Sequence, residues 1–481
     1  VQQLSSPYIC WGQNRCQRFV GERPSHSPPV FVKYLLLPAL LILWGAAPAI
    51  SAAPVDPDPI TISSLAELSQ KAAESGQKVK MTPGVYRLAD FIPLATIRER
   101  AKRKEWQFIT FSGSNNTFDL TGVTIKLDTA LRAALRSPIH TDEFLINGSN
   151  VTLKGLTITS VGDGKANGGA VLGVVGQGTT LRDCTVHVQG SAPYGYGDLF
   201  GKGGLKHSGV HITGSQTTLI GCRIYSRSFG HGFYLQEDCN DIRFENCHVE
   251  GVMRSTDEIL RETDGLAVKR KFQTVMKTHA GDCQILPGYM KALGEDAFRT
   301  YGQHKNLTVK NCTARNMRGG FELRTKTAPR VEGCTALGCE RGFWVSNGAA
   351  ILQCQGDVQY GPLLFVEGDD ATVEVKLVPS EENNFKVHET AAIYGRRNKV
   401  TITAQGKPAR LLPILLGFAP PGMGTGLSPV SERDARDITL RNETSLPVVI
   451  GSRAAKCEVT TLGPVKENKG KEVKITSLGT P

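Results

Sequence analysis

Thr-Thr-Leu-Arg-Asp-Cys at 179–184, Thr-Thr-Leu-Ile-Gly-Cys at 217–222 and Asp-Ile-Arg-Phe-Glu-Asn-Cys at 241–247 are variants of one phrase. It returns as Asn-Leu-Thr-Val-Lys-Asn-Cys at 306–312, Arg-Val-Glu-Gly-Cys at 330–334 and Ile-Leu-Gln-Cys at 351–354. The cysteines are spaced by 38, 25, 65, 22 and 20 residues. Short alternating strands recurring every 20 to 30 residues spell a solenoid, and the wider gaps are loops thrown out of single coils. Stacked coils lie about 4.8 Å apart, so one strand per coil can be tabulated into columns of neighbouring side chains. The shared cysteine position falls on the inward side of the alternation. We expect free thiols stacked coil on coil there rather than disulfides. Among the cysteines, no paired Cys-x-x-Cys supports a zinc site.

Outward from these repeats, Leu65–Ala73 has a helical apolar period with a cap at Ser63 or Ser64 and a stop at Gly76. A strand closed by Pro83-Gly84 follows. One short amphipathic helix is what the open end of a solenoid needs as a cover. The charged stretch 95–107 reads as a surface loop or short helix. Regular strands then run from Phe108 to Thr403. Residues 406–436 break the pattern with prolines and glycines, so 406–481 reads as irregular C-terminal coils and a cap.

Lys33, the apolar run Tyr34–Ile50 and the small residues Ser51, Ala52 and Ala53 form a signal-peptide pattern over 33–53. Pro38 and Pro48 argue against stable membrane insertion of that run. Residues 1–32, ahead of it, read as a disordered or spurious leader. The formal net charge is +11, which favours anionic partners. The basic residues are scattered and no nucleic-acid-binding motif is present, so nucleic acid is not the expected partner.

The cap helix, the phrase Pro83-Gly84-Val85-Tyr86 and coils spelling Asn-x-x-Leu/Val-x-x-Cys resemble the pectate-lyase-like superfamily. The resemblance spans 60–405 and implies an all-β fold, a right-handed single-stranded parallel β-helix with a short N-terminal cap helix. It also implies a polysaccharide bound in a groove along one parallel sheet. No phrase singles out a subfamily, and lyases, glycosidases, epimerases and phage proteins share the scaffold.

A second strand precedes each cysteine strand. Val210, Phe233, Phe298, Phe321 and Phe343 fall on its inward side. His211, Tyr234, Arg299, Glu322 and Trp344 fall on its outward side. Two positions on lie Gln236, Tyr301 and Arg324; two or three before lie Ser208, His231, Asp296 and Gly319. With 253–294 as an inserted loop, His231 stacks on Asp296, where a carboxylate fixes the imidazole tautomer and raises its pKa. Lys206 and His207 sit at the start of a coil beside the same edge. Lys269, Arg270 and Lys271 give the insertion a basic tip suited to an acidic glycan.

β-Elimination of a uronate needs a cation at the C6 carboxylate, a base for the C5 proton and an acid for the leaving oxygen. Arg299, Arg324 and Lys206 are candidates for the first role. His231 is the candidate base, and Tyr301 the acid or alternative base. The superfamily resemblance offers Arg299 or Lys206 as base instead, often with calcium. Glu295, Asp296 and Glu322 are the local oxygen supply for such an ion. The rival reading is glycoside hydrolysis on Asp296 and Glu322, expected about 10 Å apart from strand geometry. A third is a non-catalytic glycan-binding surface. Oligomeric state and glycan identity are not written in the sequence.

Overall fold

The computed structural model describes residues 58–165, 169–201, 204–325, 328–420 and 427–479. The leader at 1–32 and the signal-peptide pattern at 33–53 lie outside them. Among the described residues, no helix is long and apolar enough to cross a membrane.

The chain winds as a right-handed β-helix with three strands per coil. One strand of each coil joins a 13-stranded parallel sheet, and the other two join a 23-stranded sheet that bends between them. The bend explains the repeated phrase. The residue before each repeat cysteine has a left-handed backbone: Asp183 (φ 52°), Gly221 (65°), Asn246 (54°), Asn311 (52°), Gly333 (63°) and Gln353 (51°). Glycine and short polar residues reach that conformation most easily, hence the Asp, Gly or Asn there in five of the six phrases. Lys456 (φ 56°) before Cys457 extends the series.

The thiols turn inward. Cys222 and Cys247 Sγ donate to the carbonyls of Leu181 and Leu219 in the coil below, each at 3.5 Å. All ten cysteines of the described residues are free, and only Cys283 is exposed. A stack of buried thiols, rather than a set of bridges, fills this column.

The inward column of the 13-stranded sheet is an aromatic ladder. Phe233 and Phe298 stack at 5.4 Å, Phe298 and Phe321 at 4.9 Å, and Phe321 and Phe343 at 5.0 Å. None of the four is more than 1% exposed. The first coil is covered by the helix Leu65–Ala73 through Leu65, Leu68 and Ala72. At its N-terminus Glu67 N–H donates to the cap Ser64 Oγ (3.2 Å), while Glu67 Oε2 accepts from the N–H of Ser63 (2.8 Å), one residue before the cap.

Of the two readings left open for the charged stretch 95–107, the helix is found, Leu94–Lys102, anchored by buried Ile97. Two features depart from the sequence reading. A further helix, Thr129–Leu135, is capped by Asp128. Coils also continue in register beyond residue 405, through the strands Ile414–Leu416 and Val448–Ile450 and through Thr439–Asn442 and Glu458–Thr461. The proline-glycine stretch interrupts the sequence pattern but not the sheets.

The insertion leaves and re-enters the solenoid through an antiparallel pair, Met253–Ser255 with Met290–Ala292. It has its own apolar cluster of Ile259, Ala267, Ile285 and Tyr289 with Leu199 and Leu427.

Because the thiols are unpaired, a reductant should leave the thermal unfolding midpoint unchanged, and a clear fall on reduction would reveal a disulfide. Phe321→Ala should lower the unfolding free energy by about 3–5 kcal/mol in denaturant titration. A loss under 1 kcal/mol, small on the scale of core truncations, would mean the ladder does not bear on stability.

Candidate active-site groove

The expected columns exist. His211 pairs with Tyr234, Tyr234 with Arg299, Arg299 with Glu322 and Glu322 with Trp344 along the 13-stranded sheet. Looping out the insertion does bring His231 against Asp296. The row before continues past Gly319 to Arg341, which the sequence columns stopped short of. Facing outward does not mean facing solvent, however. Tyr234 is 5% exposed, Arg299 9%, Glu322 2% and Trp344 5%: Ile139 and His140 stand beside Tyr234, Phe418 and Val430 pack on the cluster of Trp344, and Arg299 and Glu322 are covered by their own ion pairs.

Three carboxylates at the floor are held by cations. Asp296 is fully buried and takes Arg318 in a fork, Nε at 3.0 Å and Nη2 at 2.8 Å, with Arg341 Nη2 at 3.3 Å. Burial raises its pKa, but Arg318, Arg299, His231 and Arg341 outweigh burial and hold it well below the carboxylate range. Glu295 receives Lys206 Nζ at 2.7 Å. Burial again works against the charge, but His231, Arg318 and Lys206 bring its pKa down to about 2. Glu322 is paired with Arg299, with Arg324 Nη2 at 3.0 Å and with Arg341 Nη2 at 2.6 Å.

These pairings bear on two expectations. Asp296, Glu322 and Glu295 Oε1 already bind guanidinium and ammonium groups, an arrangement that does not fit a calcium site. Among the described residues no group of three His, Cys, Asp or Glu side chains is arranged to hold a metal. Asp296 and Glu322 are also closer than expected. Arg341 Nη2 contacts an oxygen of each, at 3.3 and 2.6 Å, so those oxygens lie within 5.9 Å. A Cβ on Gly319 would fall 2.7 Å from Asp296 Oδ1 and 2.9 Å from Glu322 Oε2. At 0% and 2% exposure, no sugar enters between them.

The reachable chemistry lies one row over. Tyr301 is 36% exposed. Its Oη is 2.9 Å from His231 Nε2, and the Arg299 guanidinium stands 4.5 Å from its ring centre. His231 Nδ1 accepts the Asp296 backbone N–H at 3.3 Å. The neutral ring therefore carries its proton on Nε2 and donates it to Tyr301 Oη, with Glu295 Oε2 at 3.4 Å.

This revises the sequence reading of His231 in two respects. Burial lowers its pKa and outweighs Glu295 and Asp296, which raise it. Its lone pair also faces backbone rather than the groove, so it is poorly placed as a base. Burial pushes the Tyr301 phenol up to about 12, against the pull of Arg299. Tyr234 is pushed well above the ordinary phenol range by burial and by Asp142.

Lys206, Ser208, His231, Tyr234, Gln236, Glu295 and Tyr301 line one cavity of about 170 Å³, closed on one side by Ile139 and His140. Other candidates are not brought to it. His207 is buried against Glu143 (3.1 Å) and the Gln189 carbonyl (2.6 Å). His211 bonds Asp142 at 2.9 Å and stacks on Tyr234 at 4.7 Å, supporting the wall rather than facing the cavity. Lys269, Arg270 and Lys271 are exposed on the insertion and do not line it.

Sequence reasoning missed Arg318, Arg341 and the buried trio of Lys291 with Asp198 (2.6 Å) and Glu340 (2.7 Å). Arg341 was discoverable by following the Asp296–Gly319 column one coil further. Arg318 and Glu340 stand one position before Gly319 and Arg341 in the same coils, whereas Asp198 and Lys291 lie outside the repeat. A wider cleft of about 440 Å³ lies on the other sheet, by His187, Tyr225 and Arg227, without a comparable cluster of opposed charges.

Residues 111–275 match the family model described as right handed beta helix region. No curated protein matches the chain. Among solved structures, a PL6 alginate lyase in complex with a trisaccharide is 12% identical, covering 88% of this chain and 86% of its own, with a TM-score of 0.42. A PL6 family polysaccharide lyase from Pseudopedobacter saltans is 11% identical over 88% of this chain and 94% of its own, with a TM-score of 0.39. A mannuronic-acid-specific polysaccharide family 6 lyase from human gut microbiota is 10% identical over 88% and 83%, also with a TM-score of 0.39. The right-handed parallel β-helix of this chain rests on the family model over 111–275 and on its own strand register.

Proposed function

We propose that the chain is an exported polysaccharide lyase that cleaves an acidic, uronate-containing glycan by β-elimination. The observation that carries this reading is the contrast between accessible and buried groups at the site. The partly exposed groups are a phenol, Tyr301, and two cations, Lys206 and Arg324 (28% and 32% side-chain exposure). The carboxylates are sealed behind them. That order suits an anionic substrate and proton transfer; hydrolysis by two solvent-facing carboxylates has no counterpart here.

In the proposed step Lys206 and Gln236 hold the C6 carboxylate, which acidifies the C5 proton. Tyr301 Oη, as tyrosinate, takes that proton. The C5–H electron pair becomes the C4=C5 double bond, the C4–O4 bond breaks, and O4 receives the proton back from Tyr301. The phenolate is regenerated and no water is consumed. His231 Nε2–H and the Arg299 guanidinium hold the charge on the tyrosine oxygen. His231 is thus a positioning residue, and Arg299, engaged with Glu322, is neither base nor direct carboxylate ligand. In this reading protein cations supply the charge neutralisation in place of calcium.

The test is to incubate the protein with pectate, alginate, chondroitin, dermatan, heparan and ulvan and to follow the near-ultraviolet absorbance of an unsaturated uronate. New reducing ends without absorbance would move the assignment to hydrolysis. Silence on every glycan, with binding retained, would leave a glycan-binding surface.

Tyr301→Phe should lower kcat by about 10²–10⁴-fold with little change in KM. His231→Gln, whose amide still donates to Tyr301, should keep much of the rate that His231→Ala loses; equal loss in both would make His231 the base. Because the phenol is held up to about 12, only a small fraction is ionised near neutrality. The rate should therefore climb about tenfold per pH unit above neutral, and a flat profile would remove Tyr301 from the base role. A chelator should leave activity unchanged.

A further inference from the structure

The outward row that holds Tyr301 runs on in both directions. Continuing the registered pairs of the 13-stranded sheet sets Tyr301 level with Arg324, then Ser346, Glu367 and Tyr394. Towards the N-terminal coils the same row passes Gln236, Thr213 and Val175. Ser346 is its one buried member, with the hydroxyl turned to the Thr325 carbonyl at 2.6 Å. The others are half-buried or exposed, so a polymer laid along the row meets their polar atoms.

The row is uneven in charge. Gln236, Thr213 and Val175 are neutral, Arg324 sets a cation beside Tyr301, and Glu367 is the one carboxylate. Three coil steps separate Glu367 from Tyr301, or about 14 Å at the usual strand spacing. Unlike Glu295, Asp296 and Glu322, Glu367 forms no ion pair among the described residues. Its Oε2 accepts from the Tyr394 hydroxyl at 3.0 Å, and among the described residues no donor meets its Oε1. Burial and Glu367 push the Tyr394 phenol up, against Arg433 and Arg324. The proton of this pair therefore stays on the tyrosine and the charge on the glutamate.

We infer that the groove selects a mixed glycan, one whose uronates are interrupted by neutral sugars, and that Glu367 makes the selection. The inference rests on the lyase reading above and narrows its substrate. Lys206 and Gln236 take a carboxylate at the cleaved linkage. Further along the row, a sugar opposite Glu367 presents either hydroxyls or a carboxylate. Hydroxyls donate to the unpaired oxygen of an anion, a strong form of hydrogen bond. A carboxylate meets a like charge and is disfavoured there. The three carboxylates of the floor impose no such filter, because cations already satisfy them.

The experiment uses the full chain on two classes of polymer and follows the unsaturated product. In pectate and alginate every sugar is a uronate; in unsulfated chondroitin uronates alternate with neutral N-acetylated sugars. Partly carboxyl-reduced pectate and alginate supply the same backbones with fewer charges. The expected result is a higher kcat/KM on chondroitin, or on the partly reduced polymers, than on the fully charged ones. Fully charged pectate or alginate cleaved faster than every mixed polymer would overturn the selection while leaving the lyase reading intact. Absence of unsaturated product on every glycan would remove the lyase reading and this inference with it.

Glu367→Gln keeps an acceptor and loses the charge. It should narrow the gap between the two classes about tenfold, and added salt should narrow the gap of the unsubstituted protein more than that of the variant. Tyr394→Phe leaves the charge in place and should leave the gap. A gap unchanged in Glu367→Gln would overturn the role of Glu367, and so would a gap lost equally in both variants, which would mark a packing effect.

Discussion

Everything at the site depends on the parallel register of one coil upon the next. Each coil hydrogen-bonds to its neighbours with matched residues, so a side chain's vertical partners are fixed by the ladder rather than by its own sequence context. The phenylalanine stack on the inner side and the thiol column at the bend resist slippage, since a one-residue shift would turn both out to water. Given that register, Tyr234, Arg299 and Glu322 have no freedom to be anything but neighbours.

Within the frame, burial decides which groups can do chemistry. Asp296, Glu295 and Glu322 are costly to bury as anions, and they persist because arginine and lysine side chains satisfy their oxygens at close range. Removing one partner from such a cluster strands a charge in a dry environment. Gly319 belongs to the same arrangement, because any side chain there would push between two carboxylates. The cluster gives the floor of the groove its rigidity and leaves the accessible surface to a phenol and two cations. The imidazole of His231, often the first residue suspected at neutral pH, is kept uncharged and turned to a supporting position.

Much of this was legible in the sequence, for a physical reason. A solenoid converts sequence period into spatial adjacency, so the cysteine phrase yields the fold, and the strand before it yields the columns containing His231, Asp296, Arg299, Glu322 and Tyr301. Periodicity says which way a side chain points but not what is laid over it. The roof at Phe418 and Val430 and the wall at Ile139 and His140 come from irregular segments, and so the burial of Tyr234 and Trp344 was invisible. The lone-pair direction of His231 was equally out of reach, because it follows from one backbone N–H of Asp296. Lys291 lies in the insertion and Arg318 pairs in part with Asp198, outside the repeat, so the ion pairs that both make with Asp198 could not be read from period alone.

The coil-by-coil construction also governs how the molecule comes apart. In a linear stack each layer leans only on the layers above and below, so opening begins at the termini, where a coil has a single neighbour. The groove occupies middle coils, and the neck of the insertion is clamped by its own strand pair. Fraying of the first or last turns can therefore proceed without loosening Tyr301 or its supports. The candidate site therefore sits where amide protons should exchange most slowly with solvent, and the terminal coils serve as a buffer against thermal wear.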